Sequence, residues 1–432
     1  MKCRRLTKRR VALVAAVVLA LPCMLHALPP SVSNIQVTQD YNRLMTISYT
    51  LEGAGAIVTM DVLTNGVSIG HALYANATGD VNVKVPEGNR TITWQPRDTW
   101  PDQKIRDRSL SVKLTAWALD NPPDYMCVDL TKQSSVVWYV SSNDVPGGVT
   151  ADTYKTDKLL MRRIHADGVR WRMGVNGDKT GKYTPHVVTL TNDYYMAVFE
   201  TTFGQRELIV SGVRGIEERQ DYPDNKTTYA TYEGLRGVVT GHNWPADGHA
   251  VASDSVIGRF RSLTGLSAAD LPTEAEWEYA CRAGSSTPFH WGCDISEAAY
   301  AKYDWLKPVT ENSSKNSSYG GDGSYRAQKV GLLLPNAWGL YDMHGNCFEL
   351  CLDWYSEGAN YCVAGSEVIA PVGAVSNADN KRVCHSGSWM HGIVNGTVYA
   401  GSRIGHPAGG INAPYHSVGY RLSCPANFSD AQ

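Results

Sequence analysis

From Ser31 to about Val140 the chain alternates apolar and polar residues with a period of two, and beyond that point the pattern stops. Successive strand side chains point to opposite faces, so short alternating runs specify half-buried strands. I-Q-V-T-Q, L-M-T-I-S-Y-T-L, I-V-T-M-D-V-L, V-N-V-K-V, T-I-T-W and S-V-K-L-T-A-W-A-L are such runs, rich in β-branched residues. Turn residues at Glu52–Gly55, Asn65–Gly66, Pro86–Asn89 and Pro96–Asp102 separate them. Asn-Gly is a strong hairpin signal, because both residues accept positive φ. Six or seven strands over residues 31–140 predict an all-β sandwich of the immunoglobulin or fibronectin kind. This segment holds no catalytic constellation, and a spacer or binding module is the expectation.

Before it stands M-K-C-R-R-L-T-K-R-R, followed by an apolar run from Val11 to Leu21. A basic start, a short apolar stretch and a small residue at Ala27 make a secretory signal peptide over residues 1–27, with a retained anchor as the alternative. The run is shorter than the roughly 20 residues a bilayer span needs. Pro22 and Met24 around Cys23 fit lipoprotein processing poorly. Removal leaves about 405 residues, enough for two to three domains of about 150 residues, with no later span. The expected location is exported: periplasmic, cell surface or secreted. Charged residues are 19% and the net charge is −2, which removes an electrostatic case for nucleic acid. Twelve Trp, 23 Tyr and 40 Gly against six Phe point to a loop-rich interior with polar ring edges.

Beyond the leader's Cys3 and Cys23, eight cysteines remain: Cys127, Cys281, Cys293, Cys347, Cys351, Cys362, Cys384 and Cys424. In an exported chain they are expected as disulfides or buried thiols. A four-thiolate metal site at Cys347, Cys351, Cys362 and Cys384 is the alternative, though its spacing lacks paired C-x-x-C knuckles.

Ser141–Thr150 is a linker by composition, placing the break at residues 141–154. H-V-V-T-L-T-N-D-Y-Y-M-A-V-F-E-T-T then reads as strands. One helix is well marked: Thr273 and Glu276 form a T-x-x-E capping box after Leu-Pro, with Gly284 available to end it. Glu274, Glu276 and Glu278 read as helix surface and cap. Asn312–Ser324, rich in Ser, Asn and Gly, reads as a surface loop.

That helix lies inside L-P-T-E-A-E-W-E-Y-A-C-R-A-G at Leu271–Gly284. N-A-W-G-L-Y-D-M-H-G-N-C-F-E-L-C-L-D-W-Y follows at Asn336–Tyr355, then R-V-C-H-S-G-S-W at Arg382–Trp389 and G-Y-R-L at Gly419–Leu422. Upstream stands T-P-H-V-V-T-L-T-N-D-Y-Y-M-A-V-F-E-T-T-F at Thr184–Phe203. In order and spacing these strings resemble the sulfatase-modifying factor, or formylglycine-generating enzyme, family over residues 155–425. The resemblance implies an α+β fold related to C-type lectins, with little regular secondary structure.

It also implies a chemistry: oxidation of a sulfatase cysteine to formylglycine, using dioxygen and copper(I) on two thiolates. Soft thiolates select copper(I). Here the family's first copper cysteine aligns with His391 and its second with Gly396, or with Asn395 after a one-residue deletion. No cysteine stands between Cys384 and Cys424, and only Ser388 of the segment is kept. Copper is therefore not expected. A multi-histidine site using His385, His391, His406 and His416 is the remaining metal alternative there. The resemblance also implies a structural calcium, on the Asp342 and Glu349 side chains and the carbonyls of Gly345 and Cys347. Hard oxygen donors suit it, and Glu349 shows no evident cationic partner in sequence. The family's other calcium site has only Asp304 and Asp322 as matches.

No G-x-S-x-G elbow, P-loop, H-E-x-x-H or G-x-G-x-x-G is present. Trp277, Trp291, Trp338, Trp354 and Trp389 read as core, with a carbohydrate platform as the alternative. The sequence favours a non-catalytic protein with a binding or a cell-surface, structural role, its expected partner an unidentified protein, peptide or glycan. An oxidase with an altered metal site and a carbohydrate- or peptide-binding accessory protein are the other two readings.

Overall fold

The computed structural model describes residues 28–100, 110–175, 183–214, 220–223, 230–238, 241–306, 327–357, 365–389, 391, 398–408 and 417–429. The expected leader, Cys362, Asn395, Gly396, His416 and the Asn312–Ser324 loop with Asp322 lie outside these residues.

The alternating N-terminal runs form two antiparallel sheets around one core. Ser31–Gln39, Met45–Glu52, Gly88–Trp94 and Thr78–Gly79 make the first, in that order. In the second, Ala56–Thr64 pairs with Val67–Ser68, Val83–Val85 and Leu110–Ala118. Alternation decides which side chains go inward: Met45, Ile47, Tyr49 and Leu51 are buried, meeting Val58, Met60, Val62, Ile92 and Trp94. Asn65 and Gly66 turn the hairpin at φ 52° and 79°.

The sequence places the end of this module too late. Tyr125–Asp129 and Val136–Tyr139 do not join either sheet. They pair with each other and with Lys158–Ile164, which continues through Tyr194–Ala197 to Ser423–Pro425 in a five-stranded sheet. Tyr125, Met126, Cys127 and Val128 are all buried, so this strand is covered on both faces and carries no alternation to assign it.

Regular structure is sparse in the C-terminal part. Three nine-residue helices, Phe203–Ser211, Val256–Thr264 and Glu274–Arg282, begin at side-chain caps. At Glu274–Arg282 the expected box is present. Glu276 N–H donates to Thr273 Oγ1 at 3.2 Å, and Thr273 N–H donates to Glu276 Oε2 at 2.8 Å. The helix ends on Ala283 in the left-handed region, one residue before the expected Gly284. Phe348–Trp354 runs between Lys381–His385 and Val418–Gly419 with all seven side chains buried.

Among the described cysteines, Cys127, Cys281, Cys347, Cys351, Cys384 and Cys424 are buried and Cys293 is exposed, with no disulfide between any two of them. Of the two expected states, buried thiols are seen and disulfides are not among the described residues. No described helix is long and apolar enough to cross a membrane.

Candidate functional site

The sequence strings meet around Phe348–Trp354. Glu349 on this strand is fully buried, and Trp277 Nε1–H from the capped helix donates to its Oε2 at 2.6 Å. Arg421, from the closing G-Y-R-L, donates to the same carboxylate at 2.7 and 3.0 Å. The rest of the guanidinium donates to the carbonyls of Ala197, Val198 and Tyr341 at 2.8–3.0 Å. Four strings far apart in sequence are thus tied to one ion pair. Removing one partner of such a pair strands a buried charge, at a cost of about 3–5 kcal/mol.

Glu200, not singled out in the sequence, joins this cluster. Asn346 Nδ2–H donates to its Oε2 at 2.6 Å and Cys347 N–H to its Oε1 at 3.1 Å. Burial, then the nearby Asp342 and Glu349 charges, push its carboxyl well above the usual range. Its only sequence signal was its place in A-V-F-E-T-T.

A second buried cluster lies beside the first. Glu274 pairs with Arg403 through Oε1 and Oε2, and His385 Nε2 stands 3.5 Å from Oε1. The His385 ring stacks on Trp277 at 4.6 Å and 14°. Asp353 Oδ2 accepts from Glu274 N–H at 2.6 Å; burial and the Glu274 charge raise its carboxyl to about 7. Glu278 pairs with Arg282 at 2.6 Å. Glu274 and Glu278 are therefore interior ion-pair members, not helix surface. Their cations include one 129 residues away in sequence, beyond any local pattern.

The segment where the resemblance implies copper ligands is built on two left-handed residues, Ser386 and Gly387, at φ 82° and 73°. Gly345 N–H donates to the Ser386 carbonyl at 2.7 Å, Ser386 Oγ–H to the Gly345 carbonyl at 2.8 Å, and Trp389 N–H to the Asn346 carbonyl at 3.0 Å. Ser388 is buried, and its Oγ lies 2.9 Å from His391 Nδ1. The His391 ring meets Phe348 edge-on at 4.8 Å, and burial holds it below its ordinary pKa. His391 is thus a neutral, packed imidazole hydrogen-bonded to Ser388.

The fit to copper is poor. The thiol nearest in sequence, Cys384, is buried and raised by that burial, as are Cys351 and Cys281. Cys281 Sγ lies 3.4 Å from His344 Nε2, but burial keeps this imidazole well below its ordinary pKa too, leaving a neutral pair. His385 and His406 each sit in separate packing environments. Among the described residues no three His, Cys, Asp or Glu side chains converge to hold a metal.

The fit to calcium is divided. Glu349 has the cationic partner that the sequence did not reveal, Arg421, which removes the charge argument for it as a ligand. Gly345 O already accepts from Ser386. Asp342 fits better: Oδ2 accepts from Gly331 N–H at 2.7 Å, while Oδ1 is buried without a hydrogen bond. Both Asp304 oxygens are also buried without a well-formed hydrogen bond. Burial, then Asp342, raise the Asp304 carboxyl well above the usual range, against the pull of the His344 amide. Hard, unsatisfied carboxylate oxygens are suitable calcium donors. Of the expected tryptophans, Trp277 and Trp354 are buried, and Trp291, Trp338 and Trp389 are half-buried.

Comparison with known proteins places this architecture. Residues 170–421 match the sulfatase-modifying factor enzyme 1-like domain. A 121-residue stretch is 35% identical to the formylglycine-generating enzyme of Mus musculus, covering 28% of this chain and 30% of that one. The chain thus spans about a third of such relatives' length. Chaperone protein LppX of Paenibacillus barcinonensis is 32% identical over 207 residues, 41% of this chain and 69% of that one. Among solved structures, PvdO from Pseudomonas aeruginosa is similar over 62% of this chain and 94% of its own, at 19% identity and a TM-score of 0.44. The chain belongs to the sulfatase-modifying factor family, through its domain at residues 170–421.

Proposed function

We propose that the protein is an exported, non-catalytic member of this family, in which the domain serves as a binding scaffold and the N-terminal β module as a spacer. One observation carries the reading. Where the resemblance puts a copper thiolate, His391 is neutral, packed on Phe348 and hydrogen-bonded to Ser388. A single imidazole without thiolate partners is a weak copper(I) site. The relative named as a chaperone supports a role in binding rather than oxidation.

A structural calcium would be held by Asp342 through Oδ1 and by Asp304, with backbone carbonyls completing a hard oxygen shell. Glu349 stays with Arg421. The ion would neutralise buried carboxylates and take no part in chemistry.

The test is chemical. The mature chain is loaded with copper(I), incubated with dioxygen and a C-x-P-x-R peptide, and the peptide is weighed by mass spectrometry. An unchanged cysteine is expected. Conversion to formylglycine overturns the reading and restores the oxidase.

A further inference from the structure

A cavity of about 570 Å³ lies where the N-terminal module meets the five-stranded sheet, away from Ser388 and His391. Its walls come from Ala56–Thr64, Leu110–Ala118 and the turn His71–Leu73 on one side. The end of Val136–Tyr139 and the turn Ser142–Asp144 form the other. Junctions of this kind are favoured places for ligand sites, and the volume is in the ordinary range for small ligands.

Aromatic and polar groups share the lining. Trp117, Tyr74 and Tyr139 present ring surface, and Trp117 is fixed by its Nε1–H donating to Thr59 Oγ1 at 2.9 Å. His71 is wedged edge-on between Tyr74 at 5.0 Å and Tyr139 at 5.6 Å. Burial lowers its pKa, against the opposing pull of Asp144 and Asp61, so it is a neutral wall.

Two carboxylates are preset as acceptors. Asp61 Oδ1 accepts from Ser68 Oγ–H at 2.6 Å and Tyr74 Oη–H at 3.1 Å. Asp144 Oδ2 accepts from Ser141 N–H at 2.9 Å and Oγ–H at 2.7 Å. In each, the other oxygen takes no hydrogen bond among the described residues, while its partner oxygen fixes the group's orientation. Charge selects the ligand. An anion would meet both carboxylates, while the Lys113 ammonium offsets part of the attraction they hold for a cation. A neutral molecule with many hydroxyls meets neither penalty: its C–H faces lie on the rings and its hydroxyls donate to the open oxygens.

We infer that this cavity binds a short neutral saccharide between the N-terminal module and the five-stranded sheet. This goes beyond the non-catalytic reading and does not depend on it, since the cavity shares no residue with the Ser388 segment.

The test uses the full mature chain, with cellobiose, maltose, lactose and N,N′-diacetylchitobiose as probes and spermidine and citrate as charged controls. Binding is followed by saturation-transfer NMR and tryptophan fluorescence. At least one disaccharide should bind saturably, more than tenfold weaker in Asp61→Asn and in Asp144→Ala, each checked for an unchanged melting temperature. If one variant is unstable, the other decides. Failure of all four disaccharides to bind overturns the proposal. So does tighter binding of spermidine or citrate, or disaccharide affinity unchanged in the stable variants.

Discussion

Two neighbouring regions of the family domain have fared differently. Around Glu349 the buried ion pair gathers residues from the opening strand, the capped helix, the central strand and the closing motif. A short way along the chain, the Ser386–Trp389 turn is held by the same central loop, and beside it stands His391, where the resemblance implies a thiolate. The first region is costly to alter, because every partner is buried and each lost hydrogen bond leaves a polar group unsatisfied. In the second, His391 holds one side-chain hydrogen bond and one ring contact and no ion pair among the described residues, so its side chain can change at a smaller cost to folding. Family membership therefore licenses the fold, and the reaction is a separate question for the Ser386–Trp389 turn.

The contrast can be broken at its strong end first. Arg421→Met should lower unfolding stability in urea by about 3–5 kcal/mol, by leaving Glu349 charged and unpaired. The double variant Glu349→Leu/Arg421→Met should recover much of the loss, since it removes both charges. His391→Ala should shift the midpoint far less. Comparable losses in Arg421→Met and His391→Ala would erase the distinction.

The second cluster gives a pH signature. The Asp353 carboxyl, at about 7, stands above the ordinary aspartate value. The folded state therefore holds a proton that the unfolded chain releases. The resulting stability is full below about pH 4 and is lost as pH rises through about 7, at up to about 1.4 kcal/mol per pH unit. Glu274 acts oppositely: its carboxyl is held below the ordinary value by Arg403 and His385 despite burial, so its contribution is lost as the solution is acidified. Asp353→Asn should flatten the fall between pH 4 and 7 in urea titrations. An unchanged slope would take Asp353 out of the account.

Calcium at saturating excess should raise the melting temperature, by linkage worth about 2.7 kcal/mol at a hundredfold excess over Kd. Asp342→Asn or Asp304→Asn should abolish the rise, while Glu349→Gln keeps it from a lower baseline. Loss of the rise in Glu349→Gln, with Asp304→Asn unaffected, would return the site to the set implied by the resemblance. The smallest effect concerns the helix cap: Thr273→Ala should cost about 1 kcal/mol by removing one side of the box.

What the sequence made legible was local. Thr273 and Glu276 are three residues apart, so their box could be written down unaided, and Asn65-Gly66 announced its own turn. Alternation identified the inward side of Met45–Glu52, but it said nothing about Tyr125–Asp129, where both faces are covered. The charge network was invisible for a different reason. Glu349 finds its cation 72 residues on, and Glu274 finds its own 129 residues on, so neighbouring residues made both carboxylates look unpaired or exposed. The motifs were recognisable as strings, while the pairing between them is a property of the fold.

We propose that this domain keeps the family scaffold without its copper site, and copper(I) affinity tests that most directly. The chain without the expected leader, residues 1–27, titrated with copper(I) against a chromogenic chelator, should fail to compete for one equivalent of metal, whereas His391→Cys/Gly396→Cys should compete. Tight one-to-one binding by the unaltered chain, lost in His391→Ala, would contradict the account.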